Sequence, residues 1–336
     1  MTPNSRTAEG LERGCFAVFD GARETVPLAD LAVALLERQK KNWSALTAGY
    51  AALEAARVRE IRGDGWGVKI QFNPRRIVSS GARVDPKTIR RRPCFLCPDH
   101  LPPEQQAILY RDDYLVLCNP MPIFPGHLTI AHRRHIPQLF LENILTFLRL
   151  AVDLGPRMIL LYNGPRAGAS APDHLHFQAA PAGLMPVEKE ILDPRKRTGA
   201  RRLDGVEICR TAGLARGILV IEGKEEGKVA AAVREVICML GRSTTSDGEP
   251  LLNILCTRTG EGWRLILFPR RRHRPDAYFR EGEERLLISP GAVDVGGMII
   301  TSREKEFDAL TPDLVREIFR EVVFDDAAVD ALLDLL

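Results

Sequence analysis

Residues 29–60 carry apolar positions at three- and four-residue spacing, which predicts one long or two consecutive amphipathic helices. GDGWG (63–67) stops that pattern, and VKIQF (68–72) alternates like a strand. Asn73 to Arg92 is basic and broken by proline, and reads as an extended arm or loop. YLVLCNP (114–120) and HLTIAH (127–132) predict a hairpin joined by MPIFPG. Helical spacing returns over 138–155 and ends at Gly155-Pro156; MILLYNG (158–164) and HLHFQAA (174–180) then read as strands separated by a glycine-containing turn. The charged stretch 186–203 reads as a linker or an exposed excursion. Beyond Gly205 come a strand (GILVIEG), a helix over 227–241, two strands (LLNILCT, WRLILFP), a basic loop and a last strand (GGMIITS).

That second series repeats the element order of the first. The expectation is an α+β fold of two similar halves, with antiparallel sheets flanked by helices. The divisions are 1–67, an N-terminal helical extension; 68–185, the first half; 186–204, a linker; and 205–336, the second half with its basic loop.

Hydrophobic content of 45%, charged content of 27% and a net charge of +3 over 336 residues are ordinary for a soluble protein. With aromatics at 6%, nothing favours a nucleic-acid partner. The polar start MTPNSRTAEGLERG carries no signal peptide and no run is apolar over membrane-spanning length, so no membrane partner and a cytoplasmic setting are expected. Of seven cysteines, Cys94 and Cys97 stand together, and the other five read as small core residues.

The chemistry concentrates in NGPRAGASAPDHLHFQ (163–178). Side chains two apart on a strand share a face, so His174, His176 and Gln178 align, with Leu175 and Phe177 packed behind them. Two imidazoles and an amide can divide the tasks of orienting, attacking phosphorus and donating to phosphate oxygens. Gly168, Ala169 and Ser170 are small enough for backbone amides to approach an anion. The bland alternative is a strand edge with two solvated histidines.

Cys94-Phe95-Leu96-Cys97 has the spacing of a zinc knuckle. His135 and His174 are the preferred third and fourth ligands, with His100 and His132 as competitors. Such a zinc would be structural, having no open position for catalysis.

FPGHLTIAHRRH (124–135) resembles the strand segment of histidine-triad proteins, and HLHFQ is similar to the active strand of the galactose-1-phosphate uridylyltransferase and diadenosine tetraphosphate phosphorylase branch. VKIQFNPRRIVSS looks like the phosphorylase N-terminal arm. The resemblance is strongest over residues 68–180 and weaker over 205–305, which marks the first half as catalytic and the second as degenerate. It implies that His176 is a nucleophile forming a covalent nucleotidyl-histidine and that Gln178 holds the phosphoryl oxygens. Asn163 and Ser170 would help cradle the phosphates, and Leu96, Asp112 and Tyr114 would flank base or ribose. The expected orienter of His176 is a backbone carbonyl on a neighbouring strand.

The implied activity is nucleotidyl transfer between a nucleotide sugar or dinucleoside polyphosphate and a phosphate or sugar phosphate. Phosphorolysis, hydrolysis and a non-catalytic, zinc-stabilised nucleotide-binding module are the alternatives, and a homodimer is compatible with the branch. In FPRRRHRPDAYF (268–279), Arg270, Arg272 and His273 form a candidate anion-binding loop, with a solvated charged turn as the competing reading.

Overall fold

The computed structural model describes residues 14–21, 25–77, 85–243 and 248–336. The polar start at residues 1–13 and residues 78–84 of the expected arm lie outside these. Strand β1 (Cys15–Phe19) precedes helices α1 (Leu28–Asn42) and α2 (Ser44–Glu54). Leu28, Ala32, Leu35, Leu36 and Gln39 form the buried stripe of α1, so its packing matches the helical spacing of the sequence. The helical pattern runs out at Glu54, and the end of the stretch expected as helix, residues 57–60, lies instead in strand β2 (Arg57–Arg62), paired antiparallel with β3 (Gly67–Phe72).

The first half continues through α3 (Pro86–Arg91), β4 (Ala107–Tyr110), β5 (Tyr114–Cys118), β6 (Leu128–His132), α4 (Ile144–Leu154), β7 (Met158–Asn163) and β8 (His176–Pro181). The second contains α5 (Pro186–Glu190), β9 (Arg197–Leu203), β10 (Val206–Thr211), β11 (Ile218–Gly223), α6 (Glu226–Ser243), β12 (Leu252–Thr259) and β13 (Gly262–Pro269). It ends with α7 (Ala292–Val295), β14 (Met298–Thr301), α8 (Glu304–Ala309), α9 (Pro312–Val322) and α10 (Asp326–Leu333). The stretch expected as a linker is thus mostly ordered: β9 pairs with β10, and its run of arginines suits a sheet edge.

The halves share one 11-stranded sheet in the order β1-β4-β5-β6-β8-β7-β12-β13-β11-β10-β9, while β14-β3-β2 form a second, three-stranded sheet. Strand 68–72 therefore belongs to the small sheet, pairing parallel with β14 from the opposite end of the chain. Read inward from either end, β4-β5-β6-β8-β7 and β9-β10-β11-β13-β12 are the same topology, and they meet at β7 and β12, where Leu161 pairs with Leu255. Gln178 lies opposite Leu161, and Ile266 lies opposite Leu255. Two residues back along each strand, His176 lies opposite Ala131 and Arg264 opposite Glu222. The register thus equates His176 with Arg264.

One face of the large sheet packs against α1, α4 and α6 through residues such as Phe147, Leu150, Val233, Ile237, Leu160, Tyr162 and Phe177. The opposite face, carrying Ile159, Leu161, Ala180 and Leu255, packs against the small sheet and helices α8 and α9. Among the described residues, no helix is long and apolar enough to cross a membrane.

Candidate active site

Strand alternation puts Phe177 under α4 and turns His176 and Gln178 towards the opposite face. β8 starts at His176, so the shared-face rule applies to His176 and Gln178; His174 is placed instead by a bend in which its N–H donates to Ala171 O. The Nδ1 of His176 lies 2.8 Å from the carbonyl of His174. The orienting carbonyl therefore comes from two residues back in the same chain, not from a neighbouring strand. With Nδ1–H donating, the lone pair resides on Nε2. The residue is buried, 3% exposed, and burial pushes its pKa down to about 4, so the ring is neutral near pH 7.

Gln178 is set by His127, which sequence reasoning passed over. Ile123 N–H donates to Nδ1 of His127, which fixes the proton on Nε2, 2.8 Å from the Oε1 of Gln178. Burial first, and the charge of Arg76 after it, hold His127 down to about 4. The oxygen end of the Gln178 amide is thereby occupied and the Nε2 end is presented. His127 sits in the FPGH turn, so a signal was there; its use of both ring nitrogens was not legible.

Asn163 closes β7 on the same face. Its Oδ1 accepts from Asn253 Nδ2 at 2.8 Å and from Ala292 N at 2.7 Å, leaving its own amide nitrogen as the donor. Gly168, at φ +100°, runs so close to the second half that a Cβ there would lie 2.7 Å from Gly291 Cα. Ala169 is buried, and exposed Ser170 presents its carbonyl to Arg92 Nη2 at 2.8 Å. Asn253 also donates to Ala167 O, so the turn before the histidines is tied to the second half.

Cys94, Cys97, His135 and His174 converge, with one ligand atom from each within 4.8 Å of all the others, and this cluster could hold a metal. His174 Nδ1 is 3.2 Å from Cys94 Sγ and 3.6 Å from Cys97 Sγ, and His135 Nδ1 is 3.3 Å from Cys97 Sγ. A tetrahedral zinc with two thiolates and two imidazoles has sulfur–nitrogen edges of about 3.6 Å, so the donor set fits that ion. The far ring nitrogens are held as well: His174 Nε2 lies 2.7 Å from His132 O, and His135 Nε2 lies 3.4 Å from Asp173 Oδ2. The competitors are engaged elsewhere, His100 Nδ1 with the Cys94 carbonyl at 2.9 Å and His132 Nδ1 with Arg134 N at 3.0 Å.

Several expected site residues stand apart. Tyr114 is buried, stacks on Phe177 and donates its hydroxyl to Asn143 at 3.0 Å, which places it in the core. Asp112 is exposed at a hairpin turn with φ 58°, and Leu96 is buried beside Cys94, Leu115 and Ala171. The basic loop is not an open anion site. Buried Arg270 bonds Val322 O, Asn253 Oδ1, Pro290 O, Arg272 O and His273 O. Arg272 is paired with Glu321 and Asp276, and His273 Nε2 faces Ser289 Oγ at 3.3 Å. These groups tie loops together, a use that a run of charges does not reveal.

A family described as a domain of unknown function (DUF4922) matches residues 35–181, and one described as a GDPGP1-like C-terminal domain matches residues 186–335. No curated protein sequence matches the chain. Among solved structures, yeast Ap4A phosphorylase Apa2 overlays with a TM-score of 0.58 at 15% identity, covering 85% of this chain and 97% of that one. The same yeast enzyme in complex with Ap4A gives 0.54 at 16% identity, covering 84% and 97%. Its AMP complex gives 0.54 at 16%, covering 86% and 96%. The chain therefore shares the fold of yeast Ap4A phosphorylase.

Proposed function

We propose that this protein is a nucleotidyltransferase working through a covalent nucleotidyl–His176. The observation that carries this reading is the tautomer: Nδ1 is engaged by the His174 carbonyl, so Nε2 is the lone-pair nitrogen, on the face that also presents the Gln178 amide. Nε2 attacks the α-phosphorus of a nucleotide sugar or dinucleoside polyphosphate. A P–N bond forms, the P–O bond to the β-phosphate breaks, and the leaving phosphate keeps the electron pair. An oxygen of phosphate or a sugar phosphate then attacks the same phosphorus, and the P–N electron pair returns to Nε2. The Nε2 of Gln178 and the amide of Asn163 are the donors for the phosphoryl oxygens, where negative charge accumulates. Neither amide can act as acid or base towards water, which favours transfer or phosphorolysis over hydrolysis.

Zinc is the metal we assign to the Cys94–Cys97–His135–His174 cluster. Four protein ligands fill a tetrahedron, so its task is to anchor the chain just before β8. All seven cysteines are free, which suits the reducing cytoplasm that keeps such thiols available.

The test is intact-mass spectrometry after exposure to UDP-, GDP- and ADP-sugars and to dinucleoside polyphosphates. A mass gain of one nucleoside monophosphate, absent in His176→Ala and discharged by phosphate or a sugar phosphate, is the expected result. Normal nucleotide binding by His176→Ala, with no adduct or turnover in the wild type, would establish a non-catalytic binding module instead.

A further inference from the structure

The internal repeat supplies its own control for the geometry around His176. In the second half the β12–β13 ladder runs unbroken through Thr257↔Arg264 to Thr259↔Gly262. In the first half the β7–β8 ladder stops at Leu161↔Gln178, and two steps further on Asn163 and His176 are the counterpart of Thr257 with Arg264. Beyond this point the chain after β7 peels away towards the second half, where Gly164 N–H donates to Leu252 O. Parting two strands in a buried place leaves backbone groups without partners, which is costly unless another group satisfies them.

A side chain fills the gap. Gln138, 1% exposed, accepts from His176 N–H through its Oε1 at 2.7 Å. Its Nε2 donates to His176 O at 3.0 Å and to Asn163 O at 2.9 Å. Both amide protons are thereby donated, and the oxygen accepts one bond. The loop carrying Gln138 is itself anchored across the halves. Tyr162 Oη lies 3.3 Å from Gln138 O and 2.5 Å from Glu249 Oε1, and Glu249 also accepts from Phe140 N–H.

We propose that Gln138 is a positioning residue for the nucleophile: its amide replaces the missing ladder step and fixes the backbone from which the His176 imidazole projects. Gln138 touches main chain only, so it acts on the rate of attack and not on nucleotide binding. This rests on the nucleophilic role of His176 given above. Glutamate cannot substitute, because a carboxylate can accept from His176 N–H but faces two carbonyl oxygens with no proton to give. Methionine keeps the length and loses every hydrogen bond.

The experiment compares wild type, Gln138→Met and Gln138→Glu by rapid-quench intact mass at saturating nucleotide, with nucleotide affinity measured separately. Both variants are expected to form the adduct on the order of 100-fold more slowly, the scale of a small misplacement of a reacting group, with affinity unchanged. Wild-type rates in Gln138→Met, or a loss confined to affinity, overturn the proposal. A second readout needs no substrate: nitrogen-15 spectra of labelled histidine should show one His176 tautomer in wild type and a mixture in Gln138→Met, and a single unchanged tautomer overturns it. If wild type forms no adduct, the proposed reaction fails while these spectra still decide the role of Gln138. Should Gln138→Met not fold, Tyr162→Phe loosens the same loop at its anchor, and an unchanged tautomer and rate there count against the proposal.

Discussion

The Nε2–H of His127 points at the Oε1 of Gln178, 2.8 Å away, and this contact decides which end of the Gln178 amide the site presents. Replacing His127 by leucine frees the amide to turn its oxygen towards the substrate, where it would repel phosphoryl oxygens. The expected result is a roughly 10- to 100-fold slower adduct formation. A stability loss of about 1–3 kcal/mol should accompany it, because Ile123 N–H and Gln178 Oε1 lose their partner. Single-turnover mass spectrometry and urea unfolding measure the two, and an unchanged rate would show that Gln178 is not oriented this way.

Metal analysis of the purified protein should find close to one zinc per chain, lost in Cys94→Ser. His135 is the exposed member of the cluster and Cys94 and His174 are buried, so His135→Ala should weaken zinc retention less than Cys94→Ser does. A strong chelator should lower the melting temperature of the wild type and leave that of Cys94→Ser where it was. A wild type without zinc whose melting point ignores the chelator would remove the metal from the account.

Much of this was readable in the chain because local pattern and local chemistry agreed. The 3.6-residue stripe of α4 and the apolar runs of β5 and β6 joined by MPIFPG needed no tertiary knowledge, nor did the spacing of Cys94 and Cys97. What escaped depends on partners far along the chain. β9 looks like a charged linker until β10 is beside it, and β3 reads as part of the first half until β14 claims it. Arg270 reads as an anion ligand because its bonded carbonyls at Pro290 and Val322 leave no mark on sequence. Gln138 is invisible for the same reason, since all its partners are backbone atoms.

The register that equates His176 with Arg264 predicts one adduct per chain. Arg264 is paired with Glu222, which stands where the first half has Ala131, and Glu222 also binds Arg197 at 2.6 Å. A guanidinium held in such a cluster offers no lone pair to phosphorus. Peptide mapping of the saturated adduct should place it on His176 alone, and any nucleotide on a β13 peptide would contradict the equivalence.

Arg270 and Arg272 should separate cleanly in stability. Arg270 is 1% exposed, burial lowers its pKa to about 10, and its removal strands five acceptors. Arg270→Met should therefore cost about 3–5 kcal/mol, the range for unpairing buried polar networks. Arg272→Ala breaks partly exposed ion pairs and should cost no more than about 1 kcal/mol. Neither guanidinium is free for a ligand, so the half-saturating phosphate concentration for discharging the adduct should be the same in Arg272→Ala as in wild type. A tenfold rise would restore the anion-binding role of this loop.

Glu249 gives the pH dependence its sign. The carboxyl is 9% exposed, and burial raises its pKa from 4.5 to about 7, opposed by its bonds from Tyr162 and Phe140. The folded protein thus holds a proton that the unfolded chain releases above pH 4.5. The corresponding stabilisation is complete below that pH and is lost as pH rises through about 7. The span from 4.5 to about 7 corresponds to about 3 kcal/mol at most. Urea unfolding from pH 4.5 to 8 should show wild type losing stability relative to Glu249→Gln, whose side chain has no proton to release over this range. Parallel profiles for the two proteins would mean that Glu249 is already ionised in the fold, and that its short contact with Tyr162 is a charged one.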